Sequence, residues 1–267
     1  MEKFDVALLD WGIGGTGFYK LMKKDFPALR VLYFSDTGAV PYGRLSRLEL
    51  TQRLETIIGY LLQRGIPQLI VACNAMSSVL GLFEKKLQSK YPQFSLTGVI
   101  QPTLEHLAHL NLPKTIGFFG GRRTILSGSY SRPLRALGFQ VLQRVAQPLS
   151  AFIEEGKKET TEFSRLLANI LQPLKKADVL VPVCTHYTAA LPLIQHYAPH
   201  CTLLDPAQIT WDHLKGDFLK RFTQKAPQNA GNTRKDLFVT TGDVEQMVQS
   251  SLRAFGVEIE TTEFLTL

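Results

Sequence analysis

Short β-rich apolar runs alternating with longer stretches of helical periodicity predict an α/β protein made of two pseudo-symmetric parallel-sheet α/β lobes, with an active site in the cleft between them. The alternation is that of βαβ units rather than of a sandwich. The chain has 267 residues, 45% of them apolar, enough to bury the core of one large domain or of two lobes. Its halves also repeat. A strand end followed by a glycine loop, Asp10-Trp11-Gly12-Ile13-Gly14-Gly15, precedes a strand ending at Cys73; Gly120-Gly121-Arg122-Arg123-Thr124 precedes a strand ending at Cys184. Cys73 follows Asp10 by 63 residues and Cys184 follows Gly120 by 64, the mark of a duplicated lobe.

In chain order, strands are expected at Val6–Leu9, Val31–Phe34, Leu69–Ala72, Leu96–Ile100, Thr115–Phe119, Gln140–Arg144, Val179–Val183, Thr202–Leu204 and Leu237–Thr240. Each is a short run rich in strand-forming residues. Helical spacing of apolar residues places helices at Gly17–Asp25, Ser46–Arg64, Ser77–Tyr91, Thr103–Leu110, Ser127–Leu137, Thr160–Lys176, Ala189–His196 and Val244–Phe255. Gln224–Arg234, with Pro227, Asn229, Gly231 and Asn232, has the composition of an exposed loop. No Pro/Gly/Ser-rich linker divides the chain. The expected lobes are residues 1–98 plus 210–267, and 99–209.

The net charge of +7 comes from lysines and arginines scattered in small groups, Arg122-Arg123 among them, without a basic tail or aromatic-spaced basic helix. That pattern is a solvated positive surface and argues against a nucleic-acid partner. The N-terminus lacks a secretory apolar region, and no stretch approaches the length of a membrane span, so a cytoplasmic protein is expected. Three cysteines make no disulfide framework, and there is neither a CxxC motif nor a zinc-spaced Cys/His cluster, so no metal is expected.

Cys73 closes the run Leu69-Ile-Val-Ala, and the chain then turns at Asn74 toward a helix. A thiol there is expected to have a lowered pKa, because helix N-terminal N–H groups favour the thiolate. Alone it reads more often as a small buried hydrophobe. Cys184 has the same setting after Val179-Leu-Val-Pro-Val, and in open parallel sheets ligands bind beyond the carboxyl ends of strands. Two thiols on opposite walls of one cleft suit proton transfer at carbon, one removing a proton and the other returning one to the opposite face. Asp10 and His186 are the groups placed to hold protons beside them. Cys201 has no motif around it and is assigned to packing.

These motifs carry a resemblance over nearly the whole chain. The loop Asp10-Trp11-Gly12-Ile13-Gly14-Gly15, the segment Asp36-Thr37-Gly38-Ala39-Val40-Pro41-Tyr42-Gly43, Ala72-Cys73-Asn74-Ala75 and Cys184-Thr185-His186-Tyr187 resemble motifs of the glutamate racemases, within the aspartate/glutamate racemase superfamily. The resemblance implies that Cys73 and Cys184 are the acid and base, assisted by Asp10 and His186. It implies that Asn74, Thr185 and Thr124 bind the substrate α-carboxylate and that the Pro41-Tyr42-Gly43 turn meets the distal carboxylate through its backbone. It further implies that Glu154, in Phe152-Ile-Glu-Glu-Gly156, supports His186. Glutamate is the implied substrate, D-glutamate for a bacterial cell wall the implied product, a homodimer the implied assembly, and neither pyridoxal phosphate nor a metal is implied.

Three departures fall in the same pocket. Trp11 stands where the family has serine, Ala75 where it has threonine, and Gly121 where it has threonine. The indole either caps the cleft from outside or fills part of it, and a filled pocket favours a smaller or apolar-sided substrate. A racemase of aspartate or another amino acid is therefore the second reading. A non-catalytic binding protein of the same fold is the third, opposed by retention of both thiols, Asp10 and His186.

Overall fold

The run Val6–Asp10 forms strand β1, buried at all five positions, as a parallel strand must be when helices cover both faces of its sheet. A computed structural model describes residues 3–82, 87, 89–111, 114–224 and 235–267. Strands β2 (Val31–Ser35) and β3 (Gln68–Val71) flank β1 and are equally buried. With β4 (Ser95–Gly98), and with β9 (Leu237–Thr240) and β10 (Thr262–Phe264) from the end of the chain, they make a six-stranded parallel sheet ordered β10-β9-β2-β1-β3-β4. Strands β5 (Thr115–Gly120), β6 (Gln140–Val145), β7 (Val179–Val183) and β8 (Thr202–Leu203) form a second parallel sheet ordered β6-β5-β7-β8. The order β2-β1-β3-β4 thus recurs in the second sheet, with β1 matching β5 and β3 matching β7. The two-lobed parallel α/β architecture expected from the sequence is the one observed.

Behind the cleft the lobes share one apolar cluster, which joins Val6, Tyr33 and Ile70 of the first sheet to Phe119 and Leu180 of the second. Trp211, on the helix Pro206–Gln224, packs edge-on against Phe18 and Phe26 and donates its indole N–H to Asp25 Oδ2 at 2.8 Å. Helix starts follow their caps. Ser46 and Glu49 form a reciprocal capping box ahead of Arg47–Gln63, Thr160 caps Thr161–Leu171 and Asp243 caps Val244–Phe255.

Several boundaries differ from the sequence expectation for identifiable reasons. Strand β4 stops at Gly98, whose Cβ would lie 2.4 Å from Leu80 Cδ1; Val99 then donates its N–H to Ser77 Oγ at 3.2 Å and a helix begins at Ile100. The expected helix Ser127–Leu137 begins only at Ser131 and runs to Ala136, because Gly128 at φ 70° ends a separate helix, Arg122–Ser127, just before it. Pro148–Glu154 and Pro206–Gln224 are helices that periodicity did not reveal, and β10 is a short edge strand with mostly exposed side chains. Residues 225–234 of the expected loop Gln224–Arg234 lie outside the described residues, as do 83–86 and 88 of the expected helix Ser77–Tyr91, whose start is instead the end of a short helix, Asn74–Ser77, followed by a 3-10 turn at Leu80–Leu82. No helix among the described residues is long and apolar enough to cross a membrane.

Candidate active site

The glycine loop after β1 is where the two lobes touch. A Cβ on Gly14 would sit 2.4 Å from Thr185 Oγ1 and 2.8 Å from both the backbone nitrogen and Nδ1 of His186, so the loop reaches this turn of the second lobe only without a side chain. Gly12 meets the Glu154 carboxylate in the same way, at 3.2 Å. Backbone on one side and an imidazole on the other leave little room to relax. Gly14→Ala is expected to cost about 2 kcal/mol of stability and to lower kcat/KM at least about tenfold by displacing His186. A urea melt and steady-state kinetics check both, and a variant indistinguishable from wild type would show that the lobes yield freely here.

Cys73 and Cys184 each follow a central strand, β3 and β7, at the carboxyl edges of the two sheets. Both line one cleft of about 570 Å³, a size typical of small-molecule sites. Cys73 is buried and Cys184 partly exposed. The expected lowering of the Cys73 pKa is not what the structure gives. Burial and the charge of Asp10 push this thiol well above its ordinary value, with a smaller push from Cys184, and together they outweigh the favourable backbone N–H of Met76. The helix it precedes, Asn74–Ser77, is too short to reverse that balance.

Each thiol has its own titratable neighbour. Asp10, buried, accepts the Thr185 hydroxyl at 2.7 Å and the Trp11 N–H at 2.8 Å, and a further hydrogen bond couples it to Cys73. Burial raises its pKa against the opposing influence of His186 and these donors. The Thr185 hydroxyl is thereby turned toward Asp10, which leaves the Thr185 backbone N–H as its other donor at this turn. His186 lies between Cys184 Sγ, 3.9 Å from Nδ1, and Glu154 Oε2, 2.5 Å from Nε2. Burial alone would lower the imidazole pKa, but hydrogen bonds from both neighbours and the Glu154 charge raise it well above the usual 6.5. An imidazolium, with a proton on each nitrogen, satisfies both partners. Tyr187 fixes this turn from behind, donating to the Ala146 carbonyl at 2.7 Å and stacking on Phe119.

A pH test follows from the raised imidazole. His186 binds its proton more tightly folded than unfolded, so its stabilising contribution is complete below about 6.5 and is lost as pH rises through the raised folded value. Glu154→Gln removes much of the cause. The variant is expected to be less stable by about 2 kcal/mol on the acid side, with the deficit shrinking as pH rises. A deficit constant across thermal melts from acid to alkaline pH would deny the linkage.

The remaining sequence candidates, Trp11, Pro41, Tyr42, Gly43, Asn74, Ala75 and Thr124, also line the cleft. Tyr42 does so through its backbone region: its buried hydroxyl donates to Asp36 Oδ2 at 2.6 Å. Asp36 is in turn gripped by the Arg53 guanidinium at 2.5 and 2.8 Å and by the Thr241 hydroxyl at 2.8 Å, which clamps the whole 36–43 loop. The Trp11 indole donates to the Ala39 carbonyl at 3.1 Å and packs on the apolar cluster of the first lobe while lining the cleft. Asn74 Oδ1 accepts the buried Tyr130 hydroxyl at 2.6 Å, an anchor that sequence reading missed. Gln147 and Arg123 were missed too. Gln147 Oε1 accepts the Arg122 N–H at 3.1 Å and stands 3.1 Å from where a Cβ on Gly121 would be, so its amide occupies space that a threonine there would claim. Arg123, taken with the solvated surface charge, is a partly buried lining residue. Cys201 is buried and donates to the Ala177 carbonyl at 3.1 Å, as packing requires.

A scan against models of protein families finds no match. Among individual proteins, the chain is similar to the glutamate racemase of Desulforudis audaxviator, with 33% identity over 83% of this chain and 81% of that one. It is similar to the glutamate racemase of Aquifex aeolicus at 29% identity over 96% and 95% of the two chains. Its fold matches the crystal structure of glutamate racemase from Thermus thermophilus in complex with β-chloro-D-alanine, with a TM-score of 0.84, 25% identity, and coverage of 99% of this chain and 98% of that one. A third of the residues shared with a relative over most of both lengths, on the same two-lobed fold, place the chain in the glutamate racemase family.

Proposed function

We propose that the protein interconverts L- and D-glutamate by passing the α-proton through Cys73 and Cys184. The chain is a racemase of a family that works without pyridoxal phosphate; the substrate follows from the names of its relatives and the mechanism from the site. The observation that carries the reading is the lining of one cleft by two thiols from matching strand ends of the two lobes, each with its own proton-handling partner.

The asymmetry between the thiols supplies a starting state. Cys73, held high by burial and Asp10, rests as the thiol, and in the proposed reaction Cys184, whose Sγ lies 3.9 Å from Nδ1 of His186, acts as the base. Cys184 takes the α-proton, and the electron pair of the broken C–H bond spreads into the α-carboxylate. Cys73 gives its proton to the opposite face, which inverts the centre and leaves Cys73 as the thiolate and Cys184 as the thiol. The reverse reaction uses the same groups in exchanged roles. Asn74, with its carbonyl oxygen held by Tyr130, turns its NH₂ toward the substrate carboxylate, while Thr124 and the Thr185 backbone complete that pocket. The 41–43 turn meets the distal carboxylate. The product, D-glutamate, serves cell-wall synthesis.

Solvent deuterium exchange at the α-carbon, run without cofactor over a panel of L- and D-amino acids, tests the reading. Exchange and inversion of glutamate are expected, and exchange confined to another amino acid would overturn glutamate as the substrate. Trp11, Ala75 and Gly121 favour aspartate or another amino acid as the second reading, which the same panel separates from the first.

A further inference from the structure

We infer that Arg123 binds the side-chain carboxylate of the substrate and so selects dicarboxylic amino acids. This rests on the racemase reading above and deepens it by naming the group that recognises the far end of the substrate.

Arg123 belongs to the second lobe, on the helix Arg122–Ser127 next to Thr124, yet its Nη1 donates to the carbonyl of Leu45 in the first lobe at 3.0 Å. Leu45 directly follows the turn in which the Arg44 N–H bonds the Pro41 carbonyl at 2.8 Å. The guanidinium therefore spans the cleft and sits against the wall that carries the 41–43 turn. Its Nε is buried and has no acceptor among the described residues. A guanidinium fork with one donor engaged and Nε buried and unmatched is suited to a carboxylate that accepts two parallel bonds.

The carboxylates lining the cleft do not supply that acceptor. Asp10 is bonded to Thr185 and Trp11, Glu154 to His186, and Glu155 to Lys157. The nearby charges are of like sign. Arg44 and Arg122 line the same cleft, and burial, with a smaller push from the charge of Arg47, holds the Arg123 pKa below its ordinary value, a stress that a bound anion relieves.

The test compares glutamate with its uncharged isostere. KM and kcat for L-glutamate, and the Ki of L-glutamine as a competitor, are measured for wild type, Arg123→Gln and Arg123→Lys, with thermal melts of each. Arg123→Gln is expected to raise KM for glutamate by about 10- to 100-fold, the loss of a charged hydrogen-bonded pair, while kcat changes by no more than about threefold and the Ki of glutamine stays level or falls. Arg123→Lys, which keeps the charge without the fork, is expected to fall between. An unchanged KM in Arg123→Gln, or equal weakening of glutamate and glutamine, overturns the inference. Should Arg123→Gln fail to fold, an unchanged KM in Arg123→Lys overturns it instead. A wild-type protein inactive on glutamate but active on another amino acid defeats the parent reading, whereas wild-type activity with an indifferent Arg123 defeats only this one.

Discussion

Cys73→Ala and Cys184→Ala are each expected to lower racemisation by at least about 10³-fold, within the range for loss of a positioned acid or base. The fall must be equal in the two directions. L- and D-glutamate have the same free energy, so the ratio of kcat/KM values stays at one in any variant, and only the separate kcat and KM values can diverge. The more telling expectation concerns exchange without inversion. With Cys73 gone, Cys184 can still remove the proton that faces it and return a solvent deuteron to the same face. Cys73 can do the same from the other side in Cys184→Ala. Each variant should therefore wash deuterium into one enantiomer only, and the two variants should choose opposite enantiomers. NMR of both enantiomers in deuterated buffer reads this directly. If either variant exchanged both enantiomers at comparable rates, a single base would be reaching both faces, and the division of labour between lobes would have to be given up.

The logic of strand ends made much of this legible without coordinates. Cys73 and Cys184 close apolar runs, Asp10 closes another, and the spacing repeat implied that the two sheets would match, which the orders β2-β1-β3-β4 and β6-β5-β7-β8 do. What stayed hidden has a common cause: it depends on contacts between residues far apart in sequence. The Cys73 pKa was expected to fall because helix N-termini are visible in sequence, whereas the burial and the Asp10 charge that raise it are tertiary. Gly14 was legible as part of a motif, but its reason, the backbone of His186 close by, lies in the other lobe. Arg123 resembled any solvated arginine until Leu45 was placed beside it. The helix Pro206–Gln224 escaped because its residues Ala207, Thr210, Trp211 and Leu214 are buried amid Gln208, Asp212 and Lys215, a weak contrast of faces.

The most discriminating substitution at the site is Asp10→Asn, for which activity and thiol reactivity are expected to move in opposite directions. Asparagine is nearly isosteric. Its amide oxygen still accepts the Trp11 N–H, and the Thr185 hydroxyl can rotate to accept from its NH₂, so the buried contact between lobes persists. What disappears is a group able to hold a proton beside Cys73, and racemisation is expected to fall by about 10²- to 10³-fold. The same change removes a negative charge. At the alkaline pH where Cys73 titrates the Asp10 carboxylate is ionised, and its repulsion is one of the causes that keep the thiol up. Without it the Cys73 thiolate forms more readily, so alkylation of Cys73, followed in a Cys184→Ala background, should shift to lower pH in Asp10→Asn. A slower enzyme with a more reactive cysteine and an unchanged thermal melt separates proton management from general damage, because a disordered site would also let its thiol drift down toward the ordinary value but would melt earlier. An alkylation profile that stayed in place would mean that Asp10 does not face Cys73, and the proton held beside that thiol would need another owner.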